Sequence, residues 1–454
     1  MTATALKPHQ KELFGQPKGL YILFFTEMWE RFSYYGMRAI LVLYLVHATS
    51  ESNAGLGWST GEALALYGWY TMLVYVASIP GGWIADKFLG QKKSVLYGGI
   101  LLVAGHSILA IEQMWAFYSG LGLIIAGVGL LKPNISTMVG GLYKKGDIRR
   151  DEGFTIFYIG INVGAFLAGI IVGYVGEVHG WHYGFGLAGI GMALGLIQFI
   201  LGQKYLKEVG NYLGTSENQE EKDVMNKPLT KIEIDRVVVL FISFLLVIVF
   251  WGAFEQAGGL MNIYTSEKTN RMLLGWEIPA SWFQSLNSMF IIFLGTSVAL
   301  YWAKRKLEGK VATSLFKMIV GLIIMGTGFF FMTGAAAQFE ANGSSAMYWL
   351  VLAYLFHTVG ELCLSPVALS YITKLAPVKY ASLMMGIYFA MTGIGNKLAG
   401  LLGEASENLG EYIIFTGIAV FSILFGGLVM VFRKKLEVLT HGAEDDEHVI
   451  HEEA

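Results

Sequence analysis

One cysteine, Cys363, in 454 residues excludes an internal disulfide and any cysteine-based zinc or redox motif. Proline is nearly as scarce, 8 residues against 57 glycines, which rules out proline-rich spacers and permits long unbroken helices. Charged residues make up only 15% of the chain, where soluble proteins carry about 25%. The net charge of −2, with the bases dispersed among short loops, excludes a nucleic-acid-binding surface. No nucleophile–base pair, metal cluster or phosphate loop is spaced for catalysis, so the chain is not expected to be an enzyme. What is abundant is apolar: 54% hydrophobic and 14% aromatic residues, with a mean hydropathy of +0.53. Glycine at this frequency suits helices packed closely in a bilayer.

Apolar stretches long enough to cross about 30 Å of hydrocarbon fall at 20–46, 63–85, 94–111, 115–142, 153–176, 184–202, 236–263, 279–303, 313–334, 347–373, 381–403 and 411–432. They predict an all-α integral membrane protein of twelve transmembrane helices, six on either side of a charged linker at 203–235. The resulting domains are a cytoplasmic N-terminus (1–19), a six-helix bundle (20–202), the linker, a second bundle (236–432) and an acidic tail (433–454). The first 19 residues are polar and lead into an apolar run too long for a signal h-region, so no cleavable signal is expected. Of the 32 Lys and Arg, Arg31, Arg38, Lys132, Lys317 and Lys397 lie inside helices. With a cytoplasmic N-terminus, outer loops hold only Lys268 and Arg271, leaving 32 − 5 − 2 = 25 on the inner side. The positive-inside rule then places both termini in the cytoplasm.

Six polar residues interrupt the first apolar segment: Glu27, Glu30, Arg31, Tyr34, Tyr35 and Arg38. At about 100° per residue they occupy roughly 140° of the helix circumference, one stripe with two acids and two bases. Ionisable groups inside a membrane are costly and mark transport pathways or proton relays. Two carboxylates one turn apart beside an arginine form a titratable cluster, in which a proton is accepted when an ion pair opens. Lys132, in Leu131-Lys132-Pro133-Asn134, lies twelve residues before Lys144, roughly 18 Å from the inner interface. Tyr158 and Asn162 stand at i and i+4, so a phenol and an amide share one helix face. Further acids lie alone in apolar segments of the second half, Glu255 after Trp251 and Glu361 before Ser365.

The loop after the second segment, Gly81-Gly82-Trp83-Ile84-Ala85-Asp86-Lys87-Phe88-Leu89-Gly90-Gln91-Lys92-Lys93, resembles the inner-loop signature of the major facilitator superfamily. Its Gly81, Gly82 and Gly90 permit close helix approach and a tight turn, and Asp86 and Lys87 supply charge for conformational contacts. Glu27-x-x-Glu30-Arg31-Phe32-x-Tyr34-Tyr35 is similar to the hallmark of the proton-coupled oligopeptide transporter family. The Lys132-Pro133-Asn134 run, Phe157-Tyr158-x-x-Ile161-Asn162-x-Gly164, Trp251-x-x-x-Glu255-Gln256, Gln284-Ser285-Leu286-Asn287 and Glu361-x-x-x-Ser365-Pro366 resemble further motifs of that family, in the same order. Two positions depart from it: Ser288 replaces a proline, and Tyr388 a tryptophan. The second helix lacks the histidine of animal members, so coupling is expected to rest on carboxylates. Many bacterial members carry two extra helices between the halves; 203–235 is too short and polar for them.

This resemblance implies a major facilitator fold and a proton-driven symporter importing di- and tripeptides across the plasma (inner) membrane. It implies proton coupling at Glu27, Glu30, Arg31 and Glu255. Peptide contacts would come from Arg38, Lys132, Glu361, Tyr34, Tyr35, Tyr75, Tyr158, Asn162, Trp251, Asn287, Ser365 and Tyr388. A zwitterionic peptide would set its carboxylate near Arg38 and Lys132 and its amine near Glu361. The proton is the coupling ion, no cofactor or metal is implied, peptide-like drugs are further ligands, and a monomer is expected to suffice. The alternative is a major facilitator carrier for another substrate, such as peptide-like drugs or nitrate.

Overall fold

The computed structural model describes residues 12–143, 147, 149–207, 209–211, 228–377 and 380–444. The linker charges Glu208, Glu220, Glu221, Lys222 and Asp223 and the tail beyond Glu444 lie outside the described residues. Among the described residues the strands are three pairs of two residues each, and the rest of the regular structure is helical. Nine stretches among the described residues are long and apolar enough to cross a membrane by length and composition alone.

In chain order the first-half helices are α1 (Lys18–Val46), α2 (Thr60–Val76), α3 (Ser78–Ile84), α4 (Gln91–Leu109), α5 (Met114–Gly141), α6 (Arg149–Tyr174) and α7 (Trp181–Gly202). The second half has α8 (Lys231–Phe254), α9 (Leu260–Lys268), α10 (Ser285–Leu307), α11 (Ser314–Asn342), α12 (Met347–Leu375), α13 (Ala381–Leu409) and α14 (Glu411–Val438). These fourteen helices make twelve spans, because two spans are broken. The second runs through α2, α3 and a wide turn at Ala85–Leu89. The seventh runs through α8, a tight turn at Glu255–Ala257, and α9. The architecture is thus the all-α twelve-helix fold expected, and the three spans outside the nine, α1, α4 and α13, belong to it too. α1 carries four ionisable side chains at its centre, which lowers its hydropathy.

Local chemistry sets the helix ends. Thr230 and Glu233 form a capping box at the start of α8: Glu233 N–H donates to the Thr230 hydroxyl at 3.3 Å, and Thr230 N–H to the Glu233 carboxylate at 2.7 Å. Such caps satisfy amides that the first helical turn leaves without intrahelical partners. Several helices, including α11 and α14, run a turn or more past their apolar segments, carried by residues of good helix propensity such as Ala, Gln, Glu and Lys.

The chain packs as two compact units, one of 1–40 and 76–215, the other of 41–75 and 216–454. In the first, Leu23, Leu102, Ile124, Leu131, Phe185 and Phe199 are fully buried. There α3 crosses α5 so closely that a Cβ on Gly81 would lie 1.9 Å from the Gly129 carbonyl oxygen. In the second unit, the C-terminal end of α1 and all of α2 to Tyr75 join the helices of the second sequence half. α2 meets α13 backbone to backbone, and a Cβ on Gly68 would stand 2.9 Å from the Gly400 Cα. Glycine is required at both crossings because no side chain fits between the backbones.

Candidate transport site

The stripe on α1 is buried in the first unit: Glu27, Glu30, Arg31, Tyr34 and Arg38 are all buried, Glu30 fully and Arg38 with 8% exposed. Arg31 Nε donates to Glu27 Oε1 at 2.9 Å and stands 2.7 Å from Glu30 Oε2. One guanidinium thus bridges both acids, but the contact to Glu30 lacks hydrogen-bond angles. The Tyr35 ring lies beneath two cations, 4.9 Å from Arg38 Cζ and 5.9 Å from Arg31 Cζ, distances at which cation–π attraction operates. Tyr34 packs edge-on to Tyr35. Lys132 on α5 is close enough for its charge to act on Glu30. With every group ionised, Glu27, Glu30, Arg31, Arg38 and Lys132 sum to −1 − 1 + 1 + 1 + 1 = +1. Protonating one acid makes this +2.

On α6, Tyr158 is partly exposed and Asn162 buried. The shared face expected for the pair takes a different form from a phenol–amide contact: Asn162 Nδ2 donates to the Tyr158 backbone carbonyl at 3.0 Å. Asn134, after Lys132-Pro133, likewise donates to the Leu130 carbonyl at 2.7 Å. These amides return to their own helices, a local bond that competes with outside partners.

The second unit holds the other polar cluster. Glu255 sits at the break between α8 and α9, buried, and accepts a 2.5 Å hydrogen bond from Tyr67 Oη of α2. Asn287, near the start of α10, donates to Glu361 Oε2 at 2.8 Å and to Thr358 Oγ1 at 3.1 Å. Thr358 in turn donates to the Tyr354 carbonyl at 2.7 Å. Asn287 and Glu361 are therefore one unit, a carboxylate oriented by an amide. Ser365 is one turn along, and its buried hydroxyl has no hydrogen-bond partner among the described residues. Trp251 packs edge-on to Phe254. Tyr388 is buried, and Tyr75 lies against α13 beside Gly393.

Of the inner-loop motif, Gly81 makes the close crossing with α5, and Gly90 adopts φ +74 as it starts α4. Gly82 faces open space, and Asp86 and Lys87 are exposed. Near the end of the motif, Lys92 N–H donates to the Gly210 carbonyl at 2.8 Å and Lys92 Nζ to Asn211 at 2.9 Å, tying the start of the linker to α4. Burial holds the Lys92 ammonium below its ordinary pKa. In the α5–α6 connection Asp147 is held below the usual carboxylate range by side-chain and backbone hydrogen bonds from Arg149. Burial pushes the neighbouring Tyr143 phenol up to about 12.

Three partners escape sequence reading. Tyr67, which binds Glu255, reads as one more apolar-segment aromatic. Thr358 reads as a helix-packing hydroxyl. Glu407 at the end of α13 accepts the Gly61 N–H at 2.6 Å and caps α2 from another helix, 346 positions away. Only the position of Tyr67, two turns before Tyr75 on α2, carries a signal that could have found it.

Comparison with known proteins gives the family of the chain. The pattern of the POT family matches residues 92–215 and 213–413. A di-/tripeptide transporter of Lactococcus lactis subsp. cremoris is 34% identical, over 95% of this chain and 98% of its own. The peptide transporter YePEPT of Yersinia enterocolitica subsp. palearctica is 35% identical, over 89% of this chain and 90% of its own. A crystal structure of a peptide transporter POT variant in complex with alafosfalin superposes with a TM-score of 0.86 at 36% identity, covering 95% of this chain and 97% of that one. With its twelve spans, its ionisable stripe on α1 and this likeness along nearly its whole length, the chain belongs to the POT family, the proton-coupled oligopeptide transporters of the major facilitator superfamily.

Proposed function

We propose that this protein is a symporter that imports di- and tripeptides with protons by alternating access. One observation carries the reading above the rest: two buried acids share one arginine in the middle of a membrane span, beside two further cations. The relatives named as di-/tripeptide and peptide transporters support the substrate class. The neighbour bound to alafosfalin extends it to peptide-like drugs.

In this reading a peptide presents two charged ends. Its carboxylate is recognised by Arg38 and Lys132, its amine by Glu361 held by Asn287. Tyr34, Tyr35, Tyr75, Tyr158, Asn162, Trp251, Ser365 and Tyr388 supply contacts that do not depend on peptide side chains. Protonation at Glu27 or Glu30 raises the charge of the α1–Lys132 cluster from +1 to +2, which strengthens attraction for a carboxylate. By linkage a bound carboxylate favours the proton to the same extent. Neither ligand then crosses efficiently alone.

Glu255 acts elsewhere in the cycle. Ionised, it accepts a charge-assisted bond from Tyr67, a class worth about 1.5–3 kcal/mol; protonated, it keeps an ordinary one of about 1 kcal/mol. Protonation therefore loosens α2 from the α8–α9 break. Gly81, Gly82, Asp86, Lys87 and Gly90 serve the rearrangement on the inner side. We place both termini in the cytoplasm, the bundles at 20–202 and 236–432 with the linker at 203–235 between them, and the protein in the plasma membrane as a working monomer.

Uptake of labelled dialanine into proteoliposomes, with and without an inward proton gradient, tests the proposal. Accumulation that collapses with a protonophore is the expected result. Absence of uptake by folded, correctly inserted protein would redirect the search to other substrates.

A further inference from the structure

The connection between α9 and α10 is a built hairpin whose chemistry does not suit water. Met272–Leu273 pairs antiparallel with Trp276–Glu277, leaving Leu274-Gly275 as a two-residue turn. Both turn residues have positive φ, +52 at Leu274 and +83 at Gly275, the geometry of a type I′ turn, which favours Asn-Gly or Asp-Gly. A leucine in the left-handed region is strained. It is also 99% exposed. In water this position would gain on both counts from asparagine. Met272, Leu273 and Trp276 are exposed as well, so the outermost run Met-Leu-Leu-Gly-Trp has no polar side chain on either face.

The base of the hairpin is ordered and polar. Arg271 donates to the Ile278 carbonyl at 2.5 Å and pairs with Glu277 at 2.8 Å, and Ile278 N–H donates to the Arg271 carbonyl at 3.0 Å. Thr269–Asn270 is anchored by parallel pairing with Ser345–Ala346. The apolar tip is thus the end of a fixed element. Its side is set by Trp276, whose ring lies 5.2 Å from that of Trp282, in the short helical turn that leads straight into α10. The α10 span is only 17% buried over its apolar window, the lowest share of the nine, and its Ile292, Phe293, Leu300 and Tyr301 are exposed. The tip is therefore joined by an aromatic pair, the side-chain type that concentrates at membrane–water interfaces, to a span whose half-buried Leu286, Met289 and Phe290 lead to this exposed face.

From this continuity we infer that the 272–276 hairpin lies in the headgroup and upper acyl layer of the bilayer, anchoring the outer end of α10 to lipid. Leu274 then trades backbone strain for removal of its side chain from water. The inference needs only that α10 spans a bilayer and is independent of the substrate carried.

The test uses the lone cysteine to advantage. In a Cys363→Ala background, Leu274→Cys and, separately, Lys310→Cys in the exposed connection after α10 are labelled with an environment-sensitive fluorophore and placed in lipid nanodiscs. The expected result is a blue-shifted emission at Leu274→Cys, quenched several-fold more by nitroxide lipids than by iodide, with the order reversed at Lys310→Cys. A label at Met272→Cys should behave as at Leu274→Cys and shift to the red when Leu274→Asn is added. Water-like emission and iodide quenching at both hairpin positions, equal to the Lys310→Cys control, would overturn the proposal.

Discussion

Tyr67 and Glu255 are 188 positions apart in sequence and joined by a 2.5 Å hydrogen bond in a buried setting. Removing the phenol oxygen leaves a buried carboxylate short of a donor, at a cost of about 1–3 kcal/mol. Tyr67→Phe should lower the melting temperature of the purified protein, and Glu255→Gln should lower it less, because an amide still accepts from Tyr67. Equal effects of the two substitutions would argue against a charge-assisted tie.

Glu30→Gln keeps the shape of the α1 cluster but removes one proton site. Gradient-driven accumulation of dialanine should fall to background, while counterflow exchange of peptide persists. Accumulation that survives in this variant would move coupling to another acid.

Gly81 and Gly82 are adjacent but differ in what surrounds them. A methyl at Gly81 meets the Gly129 carbonyl at 1.9 Å, and one at Gly82 meets nothing within 4 Å. Gly81→Ala should lose 1–3 kcal/mol or more through overpacking against backbone that cannot yield. Gly82→Ala should leave the protein monodisperse. Thermal size-exclusion profiles of the two variants decide the matter, and matching profiles would refute the crossing described for α3 and α5.

Glu361, held by Asn287, is assigned the peptide amine. N-acetylation of a dipeptide should weaken binding to the native protein roughly tenfold to a hundredfold, about 1.4–3 kcal/mol. The same modification should change little for Glu361→Gln. Competition titrations in the four combinations give the coupling directly, and an additive result would place the amine elsewhere.

Asp147 offers a pH test outside the membrane. Arg149 lowers its pKa in the folded protein, so its contribution to holding the α5–α6 connection is present above the unfolded carboxylate value, about 3.9. That contribution is lost as the pH falls through the lower folded value. Carbon-13 titration of the Asp147 carboxyl should show a midpoint below 3.9 that returns towards it in Arg149→Ala.

The spans were legible because crossing a bilayer demands length and apolarity together, a demand that nine stretches of the described residues meet outright, with α1, α4 and α13 completing the pattern of six and six. The stripe on α1 was legible for the opposite reason: charge is so costly there that six polar residues on one face need an explanation. The breaks at Ala77 and Glu255 carry local signals that a reading for span length passes over: Pro80, whose missing N–H leaves the Val76 carbonyl without its helical donor, and the Gly258-Gly259 pair after the second break. The role of Asn162 was half legible. Its place on the face of Tyr158 follows from helical spacing, but its amide turns to a backbone carbonyl that spacing does not rank against the phenol. Tyr67, Thr358 and Glu407 were hidden because their partners lie 188, 71 and 346 positions away. The hairpin at 272–276 was hidden because leucine is not a turn signal.

The glycine crossing of α2 and α13 bears on how fast such a protein can work. Interlocked side chains must abandon rotamers and re-find them each time two helices separate, and that search adds to the barrier. At Gly68 and Gly400 there are no teeth to disengage, only two smooth backbones. Parting them forfeits dispersion contacts that are individually weak and requires no repacking on return. Elsewhere the pair is held by side chains, Leu64 against Gly403 and the Trp69 ring 4.8 Å from Lys397 Nζ, and by the Gly61 N–H donating to Glu407. A helix pair built this way has a smooth bearing at its glycine crossing, with side-chain and polar ties to either side of it.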